Sequence, residues 1–515
     1  MKLLLQGHDE RYTVEQSLLN LFPGELPVYE PILPGDDSWA VVTLREEDDC
    51  CHVTTELRWQ GRQTSHREVL PLSGTEYARE GQRRHAVGAC FFLAAQAVSG
   101  VRPPWGMLTG VRPDKPATAA LAAGRTPEET RAWMERFYYV SPDRAALAVE
   151  TASAALRASR RLERRDIAVY VGIPFCPTRC AYCSFVSQSV EKSFDLVPPY
   201  VEALVEEIHS GGGMARALNL RCRTFYMGGG TPTTLTAGQL DRVLTALEDA
   251  FDLQDCEELT VEAGRPDTIT AEKLAVLKSH GITRISVNPQ TMEDAVLRAI
   301  GRRHTAREIE HALDLAAAYG FPHVNMDLIA GLPEDTAAGF RRSLDRCLEF
   351  ETDNVTIHTL ALKKGSRILT EGLSVPGPEE VAQMLDYAAP MLRERGYAPY
   401  YLYRQKYMSG SFENIGWTRP GAECWYNIDI MSELCSILSF GAGGSTKMVE
   451  GGRIQRVFNH KYPAEYTQRP EKWRANQNAF AKFYEHVERR PRYGLFPETV
   501  ERCHPQRPGR LRRRV

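Results

Sequence analysis

The chain has 515 residues, 43% hydrophobic and 25% charged, which describes an ordinary soluble globular protein of two or three domains. Its 63 basic and 66 acidic residues leave no electrostatic reason to expect nucleic acid or an acidic membrane as partner. Arg507, Arg510, Arg512, Arg513 and Arg514 crowd the tail between Pro505 and Val515, most simply a solvated, disordered end.

At the amino terminus, Met1-Lys2 is followed by three leucines before Gln6, far short of a signal-peptide core. Ala40–Leu44 and His52–Trp59 alternate as paired strands do. Thr75–Val98 and Pro127–Arg160 carry helical patterns, with the turn-rich Trp105–Pro113 between them. The most apolar run, Val87–Val98, is broken by Gln96 and too short to span a bilayer, so a buried helix is expected. These features place the chain in the cytoplasm, where thiols stay reduced.

From Ile167 the texture changes to strand, loop and helix in repetition. Ile167–Ile173, Thr224–Met227, Glu258–Glu262, Arg284–Asn288, Val324–Ile329 and Asn354–Leu360 read as six strands. Helices over Pro199–His209, Ala237–Ala250, Ala271–His280 and Arg307–Ala318 separate them, while Gly211-Gly212-Gly213 suggests a local loop. Such alternation calls for an α/β fold with a parallel sheet, and six units make a partial barrel rather than a closed eight-stranded one. After Leu373 the pattern breaks. A helix over Pro378–Arg395 leads to an aromatic-rich stretch, Tyr397–Tyr426, and to Gly441–Gly444. Three parts are expected: an α+β extension over 1–165, the partial (βα)6 barrel over 166–374, and an accessory domain over 375–515 against its open side.

Nine of the twelve cysteines are scattered and read as small hydrophobes. The other three, Cys176-x3-Cys180-x2-Cys183, follow the first strand of the repeating region. Three thiolates on one loop can bind three corners of an iron–sulfur cube and leave the fourth iron open. A zinc site would close its coordination with a fourth ligand, and no second C-x2-C follows. Unrelated cysteines are the blander alternative, but Tyr182 sits just before the third, where an aromatic ring can pack on an adenine. Gly228–Thr233 ends the second strand, where glycines admit a ligand to the backbone and threonine hydroxyls can bond it. It lacks the G-x-G-x-x-G spacing of a dinucleotide fold. Glu262, Gln290, Asp327 and Ala361 fall at or near later strand ends, and Tyr170 lies on the first strand. Singly, each has a plain structural explanation as a cap, a turn or a satisfied polar group.

The Cys-x3-Cys-x-aromatic-Cys loop with a glycine-rich second loop resembles the radical S-adenosylmethionine (SAM) superfamily. Tyr170–Cys176, Gly228–Thr233 and Asn325–Pro333 resemble the oxygen-independent coproporphyrinogen III oxidase/dehydrogenase group. Trp105–Pro113, Ile285–Thr291, His358–Lys363 and Tyr400–Lys406 point to its HemZ branch, which has a long amino-terminal extension. The resemblance implies a radical SAM barrel holding a [4Fe–4S] cluster on Cys176, Cys180 and Cys183. Its SAM-contacting positions fall on Tyr170, Tyr182, Gly229, Gly230, Thr231, Glu262, Gln290, Arg302, Asp327 and Ala361. Phe185 is counted with this cofactor set, at the position where the decarboxylating members carry a fourth cysteine. Those members also carry histidine where this chain has Gly172.

The implied activity is oxidative decarboxylation of coproporphyrinogen III to protoporphyrinogen IX in haem biosynthesis, with an electron donor such as flavodoxin or ferredoxin. A haem-carrying chaperone of the same fold, which likewise lacks the fourth cysteine, is the alternative, as is radical SAM chemistry on another substrate. Arg404 and Lys406, beside Tyr400, Tyr401 and Tyr403, are candidates for an anionic tetrapyrrole rim, or are surface cations of a strand. No catalytic residue is assigned.

Overall fold

The computed structural model describes residues 1–22, 24–183, 188–363, 365–405 and 408–487. Among the described residues the chain forms two compact units, one over Met1–Thr109 and Ala119–Ala145, the other over Gly110–Thr118 and from Ala146 to Val487.

In the first unit, β1 (Lys2–Gln6), β2 (Ser38–Glu47), β3 (Cys50–Trp59) and β4 (Arg62–Pro71) form a sheet in sequence order. β1 runs parallel to β2, and the other pairs are antiparallel. Both hairpin turns are two residues long and take positive φ throughout, at Asp48-Asp49 and at Gln60-Gly61, which matches the twist of the flanking strands. Alternation points Ala40, Val42, Leu44, Val53 and Leu57 to one face. There they join the inward residues of α1 (Arg11–Leu21) and α2 (Glu76–Ser99) in one apolar core. Thr75 caps α2 by accepting from Ala78 N at 3.4 Å, and left-handed Gly100 ends it.

The second unit is built on an eleven-stranded sheet. Six parallel strands form its centre: β5 (Asp166–Ile173), β6 (Arg221–Gly229), β7 (Glu258–Glu262), β8 (Arg284–Ser286), β9 (His323–Ala330) and β10 (Asn354–Thr359). These are the six expected strands. They make an α/β partial (βα)6 barrel, with helices over Val197–Ala217, Ala237–Ala250, Ala271–Ser279, Ala306–Ala318 and Ala337–Leu348 between them. The last four begin at capping threonines, Thr236, Thr270, Thr305 and Thr336.

Beyond residue 374 the chain extends the same sheet at both edges. Strands β11 (Ala398–Tyr403) and β12 (Asn414–Thr418) lie antiparallel, β12 against β10. At the other edge β13 (Ser436–Phe440) runs parallel to β5 and is followed by β14 (Ser445–Glu450) and β15 (Arg453–Phe458).

Gly211-Gly212-Gly213 is not a loop. It lies inside the helix Val197–Ala217. A Cβ on Gly212 would stand 2.5 Å from the Ala250 Cβ, and one on Gly211 would stand 2.4 Å from the Phe440 ring. Gly211 and Gly212 are there for close packing, which overrides their low helix propensity. No described helix is long and apolar enough to cross a membrane.

Candidate active site

The inner faces of β6 to β10 and the loop after β5 line a cavity of about 360 Å³. That volume lies at the small end of the range for small-molecule sites. All three clustered cysteines line it, with Tyr182, Gly229, Gly230, Thr231, Glu262, Gln290, Arg302, Asp327 and Ala361. Of the expected cofactor set, Tyr170 is not in the lining, and Phe185 lies outside the described residues.

The cysteine loop leaves β5 and is tied down along its length. Ala181 N donates to Ile300 O at 2.9 Å, and Ile368 N to Ala181 O at 3.3 Å. Thr178 Oγ1 donates to Gly301 O at 3.0 Å, and Arg265 Nη1 reaches Thr178 Oγ1 at 3.1 Å and the Cys180 sulfur at 3.9 Å. Thr231 Oγ1 lies 3.5 Å from the Cys176 sulfur. The loop is thus fixed by the segments following β6, β7 and β8 before any ligand binds. Three soft donors facing one polar cavity are a suitable donor set for an iron–sulfur cluster. Among the described residues, no three His, Cys, Asp or Glu side chains stand close enough to hold a single metal ion.

The glycine run is needed for a nearer reason than ligand access alone. A Cβ on Gly230 would lie 2.6 Å from Phe175 O and 2.8 Å from Ile173 O. Gly230 N donates to Ile173 O at 2.7 Å and Thr231 N to Phe175 O at 2.8 Å, locking the two loops together. Gly229, at φ +106°, holds a backbone conformation that disfavours any side chain.

Two carboxylates face the cavity with different electrostatics. Burial pushes Glu262 up to about 7, with Asp327 adding to the shift, although Tyr226 donates to its Oε1 at 2.5 Å. Burial also opposes ionisation of Asp327. Its net shift is nonetheless downward, because His358 stands at 3.7 Å and Asn325 Nδ2 donates at 2.9 Å. Asp327 is therefore the carboxylate set to stay charged. Gln290 sits at φ +70°, its N donating to Asp327 O at 2.8 Å. Arg302 donates to Asn288 O at 2.5 Å and to the Tyr182 hydroxyl at 3.3 Å. Tyr170 stacks with Tyr226 and Tyr426 at 6.3 and 6.2 Å, and its hydroxyl is near Gly229, so it backs the wall.

Sequence patterns alone missed Tyr226, Arg265, Asn288 and Lys363, which also line the cavity. Period-two alternation gives the signal for Asn288, two residues before Gln290. Arg404 is a correction. It is buried, Glu413 supplies a counter-charge, and its N donates to Val111 O at 2.7 Å. It is absent from the lining, whereas its neighbours Tyr403 and Gln405 belong to it. Lys406 lies outside the described residues.

The radical SAM superfamily model matches residues 170–347. The chain is 35% identical over 478 residues to the oxygen-independent coproporphyrinogen-III oxidase-like protein HemZ of Bacillus subtilis, covering 91% of this chain and 95% of that protein. It is 33% identical over 263 residues to the heme chaperone HemW of Lactococcus lactis, covering 50% of this chain and 64% of that one. The structure of coproporphyrinogen III oxidase (HemN) from Escherichia coli, a radical SAM enzyme, matches with TM-score 0.50 at 24% identity. The match covers 62% of this chain and 72% of that one, and shows a shared fold.

Proposed function

Because the chain belongs to the radical SAM superfamily, in the branch of the coproporphyrinogen-III oxidase-like protein HemZ, we propose that it is a cytoplasmic radical SAM oxidoreductase of haem biosynthesis, converting coproporphyrinogen III to protoporphyrinogen IX. The observation that carries this is one continuous cavity. It joins the three thiols, the Glu262–Asp327 pair and the Tyr400, Tyr401 and Tyr403 wall.

In this proposal Cys176, Cys180 and Cys183 hold a [4Fe–4S] cluster. When bound, the cluster and SAM supply a 5′-deoxyadenosyl radical that takes a β-hydrogen from a substrate propionate. Two of the propionates would each then give up carbon dioxide and pass one electron to an external one-electron acceptor, becoming vinyl groups. The strand-end residues place the cofactor. The Gly229–Thr231 backbone would hold the methionyl part, Tyr182 would pack on the adenine, and Glu262 and Asp327 would accept from ammonium or ribose hydroxyls. Gln290, Arg302 and Ala361 complete the cradle, and Tyr170 supports it. Flavodoxin or ferredoxin would deliver the reducing electron.

A haem-carrying role is the second reading, favoured by the HemW relatives and by Phe185 at the fourth cysteine position. Anaerobic reconstitution with coproporphyrinogen III, SAM and a reductant decides between them. Decarboxylated product accumulating with 5′-deoxyadenosine supports the enzyme, and Cys176→Ala should abolish both. Tight haem binding with no turnover supports the carrier. Gly229→Val, strained at its φ and 3.3 Å from Ile173 N, should lower SAM affinity while leaving iron content unchanged.

A further inference from the structure

The displacement of Arg404 from the cavity leaves open which side chain meets the acidic rim of the substrate. The cations that do line the cavity differ in what they already hold. Arg265 is paired with Asp267 at 3.0 Å. Arg284 lies 3.4 Å from Glu258 and also donates to Ala422 O and Glu423 O. Arg302 is engaged by Asn288 O, Pro289 O and the Tyr182 hydroxyl. Lys363 is different. It lines the same cavity, two residues past Ala361 on the loop after β10, and its side chain makes neither a hydrogen bond nor an ion pair among the described residues. It is partly buried. Tyr401 and Tyr403 line the cavity too, their rings 8° from parallel at 6.4 Å. An ammonium and an aromatic wall in one cavity form a place for a flat apolar ring bearing a carboxylate.

We propose that Lys363 is the specificity-determining cation that anchors a carboxylate of the tetrapyrrole substrate, with Tyr401 and Tyr403 against the ring. This rests on the tetrapyrrole reading above and names the contact within it. The ammonium donates to the carboxylate, so binding should demand a free acid. A methyl ester would not satisfy it.

The test is equilibrium binding, followed by fluorescence, of coproporphyrin III and of its tetramethyl ester to the full-length reconstituted protein. Lys363→Met should weaken coproporphyrin III binding about tenfold. Lys363→Arg should stay within roughly threefold, and the ester should bind wild type and Lys363→Met alike. Iron, sulfide and SAM affinity should be unchanged in both variants. Equal binding of the free acid by wild type and Lys363→Met overturns the assignment, as does an equal loss for acid and ester. Loss of iron in Lys363→Met assigns the residue to the cluster instead. If wild type binds coproporphyrin III but Lys363→Met binds it equally well, only the Lys363 assignment falls. If wild type binds neither coproporphyrin III nor haem, the tetrapyrrole reading itself falls.

Discussion

The inward faces of the two units are built from opposite materials. In the amino-terminal unit β2 and β3 turn Ala40, Val42, Leu44, Val53 and Leu57 against α1 and α2. In the barrel, the strands turn Thr260, Ser286, Asn325 and Thr356 toward the cavity, while Val261, Ile285, Met326 and Ile357 are buried on the alternate positions. One unit uses its interior for stability. The other keeps its apolar packing outside the barrel and leaves the inside polar, in contrast to barrels whose interiors are filled by branched aliphatic residues. The polar interior is also incompletely paired. Arg284 Nε, Asn288 Oδ1, Gln290 Oε1 and Arg302 Nε are buried without hydrogen-bond partners. An unpaired buried polar atom costs about 1–3 kcal/mol, and a polar ligand in the cavity would offset that cost.

The comparison breaks most visibly with Phe91→Ala. Phe91 is fully buried in the amino-terminal core, so its loss should cost about 3–5 kcal/mol. Scanning calorimetry should show an earlier transition, while iron content and SAM affinity of the folded protein stay at wild-type levels. Loss of iron from folded Phe91→Ala protein would mean that the two interiors do not divide the work in this way.

Glu262→Gln should act in the opposite sense. The Glu262 carboxyl is raised from its usual 4.5 to about 7, chiefly by burial. Below 4.5 folded and unfolded states are both protonated there, and the residue imposes no penalty. Between 4.5 and 7 the unfolded chain ionises first, so stability falls as pH rises, and above 7 the loss is complete. Glutamine removes this slope and can still accept from Tyr226. Denaturant titrations at pH 8 should find Glu262→Gln more stable by roughly 2–3 kcal/mol, with weaker SAM binding. A variant less stable at pH 8 would contradict the burial argument.

Much of the barrel was legible because its signals are local. The strand Glu258–Glu262 and the helix Ala237–Ala250 carry apolar periodicity and, for the helix, a Thr236–Gln239 capping box. The cysteine loop was legible because its spacing alone limits its chemistry. What failed depended on long-range packing. The face of β11 that meets the cavity is set by register with β12 and by an irregularity between Pro399 and Tyr401, so Arg404 could not be oriented from its own neighbourhood. Lys363 gave no signal because its interest lies in which other cavity cations are already engaged, and Arg284 and Arg302 reach partners distant in sequence. That strands after residue 374 would join both edges of one sheet was likewise not written in any local pattern.

The Gly211–Gly213 run offers the finest comparison, between two adjacent glycines of one helix. As a loop, the run would respond to alanine at either position in much the same way. In the helix the positions differ. Gly213 is exposed, with nothing within 4 Å of an added Cβ. Gly213→Ala should therefore gain the helix propensity that glycine lacks and stabilise by about 0.5–1 kcal/mol. Gly212→Ala would gain the same propensity, but its Cβ would sit 2.5 Å from the Ala250 Cβ and 2.6 Å from Ala250 O. Backbone cannot swing aside as a flexible side chain does, so overpacking should outweigh propensity and leave a net loss of about 1–2 kcal/mol. Thermal unfolding of the two variants should move in opposite directions from wild type. Shifts of the same sign would return the three glycines to a loop and remove the close contact between this helix and Ala250.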